Sequence, residues 1–218
     1  MYCTSIPLRE HFPFLAQKNS GAVLDLFLPY NSVEMGREHQ KRPCLLVCPG
    51  GGYAMVSERE GEPIALCFLP QGFNVFVLRY SVAPHRFPTQ LLEVAAAMQL
   101  ICQKAEEWNC DTDKIAIMGF SAGGHLAGHY SNRYNGPEVR QYFPQGVKPA
   151  ASLLCYPVVT AGEYAHLGSF LNLLGHEPDE KEQADFSLEK MVTDDTPPAF
   201  LCSARSRIPT VSHKESKI

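Results

Sequence analysis

Gly119-Phe120-Ser121-Ala122-Gly123 stands between an apolar run, Lys114 to Met118, and a run of small residues, His125 to Ser131. The pattern predicts a strand that stops abruptly, a tight one-residue turn at Ser121 and a helix that starts at once. Such a turn presses its neighbours against the strand, so residues without side-chain bulk are needed on both flanks. It would hold the Ser121 hydroxyl above the end of a sheet, with the free N–H groups of a helix N-terminus aimed at the same point. That geometry suits a nucleophile attacking a carbonyl carbon.

Working outward, the segments on either side of this turn alternate between strand and helix patterns. Residues 1 to 20 carry little pattern. Val23, Leu24, Leu26, Phe27 and Leu28 around Asp25 predict an early strand within Gly21 to Pro29, and the polar stretch Asn31 to Arg42 reads as a loop. Pro43 to Cys48 is continuously apolar and closed by Pro49 and three glycines, the mark of a strand buried on both faces. A helix is expected over Glu62 to Leu69, with Pro63 in its first turn, and a strand over Phe73 to Tyr80. From Thr89 to Trp108, apolar residues recur at three and four (Leu91, Val94, Ala95, Met98, Ile101), predicting a helix with one face on the sheet. Ala150 to Tyr156 and Pro197 to Leu201 read as further strands, and Phe170 to Leu174 as a short helical piece. The alternation predicts a doubly wound α/β fold with a mostly parallel sheet. No repeat, low-complexity tract or dividing linker interrupts it.

The bulk numbers narrow the function classes. A chain of 218 residues with 45% hydrophobic residues fits one domain with a sizeable core. A net charge of −4 gives no basic footprint, so neither nucleic acid nor an anionic membrane is an expected partner. No apolar run reaches the about 18 residues of a membrane span, and Met1 to Ser5 has no leader pattern, so a cytoplasmic protein is expected. Cys44, Cys48, Cys67, Cys102 and Cys155 sit singly in apolar runs without Cys-x-x-Cys spacing, which reads as buried free thiols. His125 and His129 stand four apart, but with no third ligand in view they read as packing residues. No nucleotide-binding glycine pattern is present.

An acyl-transfer site also needs donors for the developing oxyanion. Pro49-Gly50-Gly51-Gly52-Tyr53 alone is an ordinary glycine turn, but at the end of a buried strand and paired with the serine turn it reads as an oxyanion hole. These two motifs, with Arg59-Glu60-Gly61-Glu62, Leu78-Arg79-Tyr80-Ser81-Val82-Ala83-Pro84, Gly119 to His125 and Asp195-Thr196-Pro197-Pro198, resemble the acetyl-esterase and acetyl-xylan-esterase-like group of α/β-hydrolases. Members of that group are also described as xylanase B-like or as carrying an esterase/lipase domain. The resemblance covers residues 20–201. It implies Ser121 as nucleophile, the backbone N–H groups of Gly51, Gly52 and Ala122 as oxyanion hole, and no metal or organic cofactor. The implied substrates are small esters with short acyl groups, acetylated sugars among them.

After Leu201 the text departs from the group. It runs Cys202-Ser203-Ala204-Arg205-Ser206-Arg207 to Ile218 with no Asp after Asp195, where the group supplies its triad Asp and His. The expectation is an α/β-hydrolase domain over residues 1–201, missing its last strand and helix, with an atypical disordered tail over 202–218 from a shifted frame or alternative end. An uncovered sheet edge would then favour self-association. His213 has the chain order of a base, with Glu215 nearby, yet a disordered tail accounts better for both. His85 could line the pocket; His166 and His176 fall in the insertion after Tyr156, exposed or touching substrate. Asp194 and Asp195 are expected to shape the turn into the last strand, and Asp111 and Asp113 to cap a turn. Glu58, Glu60 and Glu62 read as a solvated run braced by Arg59. Two functions follow: a serine carboxylic-ester hydrolase, or a non-catalytic remnant without the triad acid and base.

Overall fold

Three apolar runs form the middle of the sheet: β3 (Arg42–Cys48), β4 (Asn74–Arg79) and β5 (Cys110–Phe120). Leu45, Leu46, Val75, Phe76 and Ile117 on these strands are buried, as strands covered on both faces require. The structure, a computed structural model, describes residues 1–203. Around the central strands lie β1 (Tyr2–Pro7), β2 (Val23–Leu28), β6 (Ala151–Cys155) and β7 (Ala199–Cys202), in the order β1-β2-β4-β3-β5-β6-β7. β1 and β2 pair antiparallel, as do β2 and β4; every other pairing is parallel. The expected strands are therefore present, in a doubly wound and mostly parallel sheet.

The helices are α1 (Pro13–Gln17), α2 (Glu62–Phe68), α3 (Thr89–Gln103), α4 (Ala122–Arg133), α5 (Pro137–Arg140), α6 (Leu167–Leu174), α7 (Glu180–Phe186) and α8 (Leu188–Met191). One face of the sheet builds the larger core, with Leu46, Phe76 and Ile117 packed under α3 and α4 residues such as Met98, Ile101 and Leu126. The other holds a smaller cluster, Leu45, Val47, Val75, Val77, Met118 and Phe120, with Ala65 of α2. No helix among the described residues is long and apolar enough to cross a membrane.

Several expectations are corrected. The patternless N-terminus contains β1 and α1; β1 is half-exposed and pairs Tyr2 with Leu28, so it needs no apolar run. α3 ends at Gln103, before a turn in which Asn109 adopts φ 52°. It is also buried nearly all round rather than on one face. Glu93 of α3 is 0% exposed, and its carboxylate accepts the hydroxyls of Ser20 (2.6 Å) and Ser81 (2.5 Å) and the Ser81 N–H (2.7 Å). β5 starts at Cys110, so Asp111 and Asp113 fall within its range, at an irregularity in its pairing with β3 where Asp111 caps a local turn by accepting the Asp113 N–H at 3.2 Å and pairs with Lys114. Cys44, Cys48 and Cys155 are buried, but Cys67 is exposed. β7 continues through Cys202, opposite Cys155, one residue past the expected domain end. Among the described residues β7 has a neighbour on one side only, and Phe200 and Leu201 are each 63% exposed. The expectations for His213, Glu215 and the rest of the tail from 204 onward lie outside the described residues.

Candidate active site

Ser121 sits between the end of β5 and the start of α4 with φ 51° and ψ −118°, a conformation that costs an L-residue about 1–3 kcal/mol. The fold holds it there through the backbone: its N–H donates to the Cys155 carbonyl, and its carbonyl accepts the N–H groups of His125 and Val158. The flanking glycines are demanded by contact. A Cβ on Gly119 would lie 2.1 Å from the Gly123 carbonyl oxygen, and one on Gly123 would lie 2.1 Å from that of Cys48 and 2.2 Å from that of Pro49. The turn is thus wedged against the end of β3, where the glycine loop begins.

The hydrogen bonding of that loop is one-sided. Tyr80 Oη donates to the Pro49 carbonyl at 2.6 Å, the Ser57 N–H to that of Gly50, and the Ala54 and Met55 N–H groups to that of Gly51. Asn172 Nδ2 donates to the Gly52 carbonyl at 2.9 Å, and the Ala83 N–H to that of Tyr53 at 2.8 Å. Every carbonyl from Pro49 to Tyr53 is occupied, whereas the N–H groups of Gly51 and Gly52 have no acceptor among the described residues. Ala122 N–H, in the first turn of α4, is equally free. Gly51, at φ 127°, carries the loop through its turn. Gly50, at the head of the loop, borders the serine turn: a Cβ there would lie 3.2 Å from Ser121 Cβ.

The histidines divide clearly. His125 is buried; its Nε2 lies 2.9 Å from the Phe186 carbonyl and its Nδ1 2.8 Å from the Tyr53 hydroxyl. A carbonyl only accepts, so Nε2 carries the proton and Nδ1 accepts from Tyr53. The ring is neutral, with burial holding its pKa down at about 4, and it packs the helix start as expected. His129, stacked on Phe186, is likewise buried, with its pKa well below the usual range. His85 bonds the Asn19 carbonyl, and His176 pairs with Glu182 on the surface. His166 Nδ1 bonds Ser169 Oγ, which faces Gly52. No imidazole among the described residues is hydrogen-bonded to Ser121 Oγ. Asp195 pairs with Lys148 and accepts the Tyr134 hydroxyl before β7, at the opposite end of the sheet from Ser121.

The acidic run is corrected at its middle member. Glu58 and Glu62 are exposed, but Glu60 is half-buried and accepts the Gly50 N–H and the Tyr156 hydroxyl, each at 2.7 Å. Glu60 and Asn172 are the residues that sequence reasoning missed. The first looks like one charge among three; the second lies in an insertion helix with no motif. A cleft of 430 Å³ reaches the glycine loop at Pro49 and is bounded by Ser57, Glu58, Glu62 and Val77, with Ser121 outside its lining; its Arg79 pairs with Asp25 at 2.7 Å.

A mostly parallel, helix-flanked sheet with a strained serine between a central strand and the next helix defines an α/β-hydrolase. The chain belongs to the BD-FAE family, whose model matches residues 24–152. It is similar to endo-1,4-beta-xylanase B of Butyrivibrio fibrisolvens, 40% identical in an alignment that covers 80% of this chain and 28% of that protein. It is also similar to an acetylxylan esterase of Xylanibacter ruminicola, 35% identical over 72% of this chain and 32% of that one. The chain thus spans less than a third of these two relatives. Among solved structures, the acetyl ester-xyloside bifunctional hydrolase of Caldicellulosiruptor lactoaceticus superposes with a TM-score of 0.77 at 33% identity, over 91% of this chain and 73% of that one.

Proposed function

We propose that this chain hydrolyses carboxylic esters with short acyl groups, acetyl esters of carbohydrates among them, with Ser121 as nucleophile. The observation that carries this reading is the divided hydrogen bonding of the glycine loop: all its carbonyls are taken, and the amides of Gly51 and Gly52 are left over beside the serine turn. Ser121 Oγ bonds to the acyl carbon as its O–H bond breaks and the proton passes to solvent water, the carbonyl electrons move onto oxygen, and the N–H groups of Gly51, Gly52 and Ala122 receive that charge. Collapse expels the alcohol, which takes up a proton, and water then releases the acid from the acyl-enzyme. Removing one oxyanion donor costs about 10² to 10³ in turnover in related sites. The relatives named for acetyl ester and acetylxylan chemistry support the substrate class.

A second reading, a non-catalytic binder of such esters, is favoured by Ser121 Oγ having no hydrogen-bond partner among the described residues. Without a base, turnover in comparable chemistry falls by about 10⁴ to 10⁶. A fluorophosphonate probe separates the two readings because it requires an activated hydroxyl. Labelling at Ser121 that vanishes in Ser121→Ala supports the hydrolase; a folded, cooperatively melting sample that stays unlabelled and inert towards p-nitrophenyl acetate refutes it. We further propose self-association through the β7 edge, read as a mass that rises with concentration in sedimentation. A constant monomer mass would end that idea.

A further inference from the structure

The Glu60 carboxylate joins two parts of the site that the ester chemistry leaves unconnected. Its Oε2 accepts the Gly50 N–H, where the glycine loop leaves β3, and its Oε1 accepts the Tyr156 hydroxyl. The position a Gly50 Cβ would take lies 2.7 Å from Glu60 Oε2, 2.8 Å from the Phe120 carbonyl oxygen and 3.2 Å from Ser121 Cβ, so the carboxylate borders the serine turn. Tyr156 follows Cys155, whose carbonyl holds the Ser121 N–H, and its ring packs on Phe120. Burial, then the bond to Glu60, push the Tyr156 pKa up to about 12, so the phenol keeps its proton and donates. At the far end of the loop Asn172 grips the Gly52 carbonyl, and its own carbonyl accepts from Arg86.

A negative charge at this place works against the reaction, because it repels the oxyanion that forms beside it. What a carboxylate offers here is shape: two acceptor atoms at fixed separation, one for the loop and one for the strand end behind the nucleophile. We propose that Glu60 is a positioning residue that locks the oxyanion loop to the end of β6 through Tyr156, with Asn172 securing the loop's other end. The catalytic meaning of the lock rests on the ester-hydrolase reading; the lock itself does not depend on turnover.

Geometry and charge make opposite predictions for one substitution. Glu60→Gln keeps the shape and both bonds, its amide oxygen accepting from Gly50 and its amide nitrogen donating to the Tyr156 oxygen. Glu60→Ala removes both. The experiment measures ¹⁵N relaxation and amide exchange at Gly51 and Gly52, together with kcat and KM for p-nitrophenyl acetate, in the parent, both Glu60 variants, Tyr156→Phe and Asn172→Ala. Glu60→Ala is expected to loosen both amides, with exchange about tenfold faster or more, and to lower kcat about 10- to 100-fold at nearly constant KM. Glu60→Gln should stay within about threefold of the parent in both readouts. The proposal falls if Gly51 and Gly52 are as ordered in Glu60→Ala as in the parent, or if Glu60→Gln is as impaired as Glu60→Ala. An inert parent counts against the hydrolase reading alone, and the amide measurements then decide the lock. If Glu60→Ala does not fold, Tyr156→Phe and Asn172→Ala decide it: loosened amides support the lock, unchanged ones overturn it.

Discussion

Lowering the pH is expected to destabilise the protein through His125. Its neutral ring satisfies the Tyr53 hydroxyl and the Phe186 carbonyl, and a second ring proton would put a charge where no water reaches it. Burial accordingly moves its pKa from 6.5 down to about 4. A group whose folded pKa is depressed contributes stability that is complete above its unfolded pKa and is lost as the pH falls through the folded value. For this shift the loss comes to about 2 kcal/mol by pH 5 and about 3 kcal/mol by pH 4. Urea unfolding of the parent and of His125→Gln from about pH 7.5 to about pH 4 isolates it, since other titrating groups are common to both. The variant should start less stable, having lost a ring that fits its partners, but decline by about 3 kcal/mol less over the range. Stability curves that run parallel would refute the reasoning.

Three further outcomes follow. Gly123→Ala would drive a methyl into the Cys48 and Pro49 carbonyls and should leave little folded protein, whereas Gly21→Ala, with nothing within 4 Å, should melt within a few degrees of the parent by circular dichroism. Burial raises the Glu93 pKa, so its contribution is fully present below the unfolded value and lost as the pH rises through the folded one; Glu93→Gln should therefore gain on the parent as the solution is made less acidic in urea titrations. Thiol titration of the native protein should modify the exposed Cys3, Cys67 and Cys202 first, and mass mapping should find the buried Cys44, Cys48 and Cys110 untouched until unfolding.

Where backbone geometry forces a residue type, the sequence was readable. Gly119 and Gly123 are glycine because backbone atoms fill the space beside them, and Pro43 to Cys48 is unbroken apolar text because both its faces are covered. β1 left no trace because an edge strand of six residues can be half polar. The outward face of α3 was misread because Glu93 looks like any surface charge until Ser20 and Ser81, from other parts of the chain, arrive to bond it. Glu60 failed to stand out for a related reason: Tyr156 is distant in sequence, and its other partner, Gly50, bonds through a backbone amide that no motif encodes.

The carbonyls from Pro49 to Tyr53 are gripped from three stretches of the chain: Ala54, Met55 and Ser57 just after the loop, Tyr80 and Ala83 beyond β4, and Asn172 of α6. An anion receptor assembled in this way forms only in part from local turns, because the Pro49, Gly52 and Tyr53 carbonyls wait for tethers from Tyr80, Asn172 and Ala83. During refolding, capture of a Ser121-directed probe should therefore lag behind the recovery of helical signal and coincide with the docking of α6, making the active centre a clock for the last step of chain assembly.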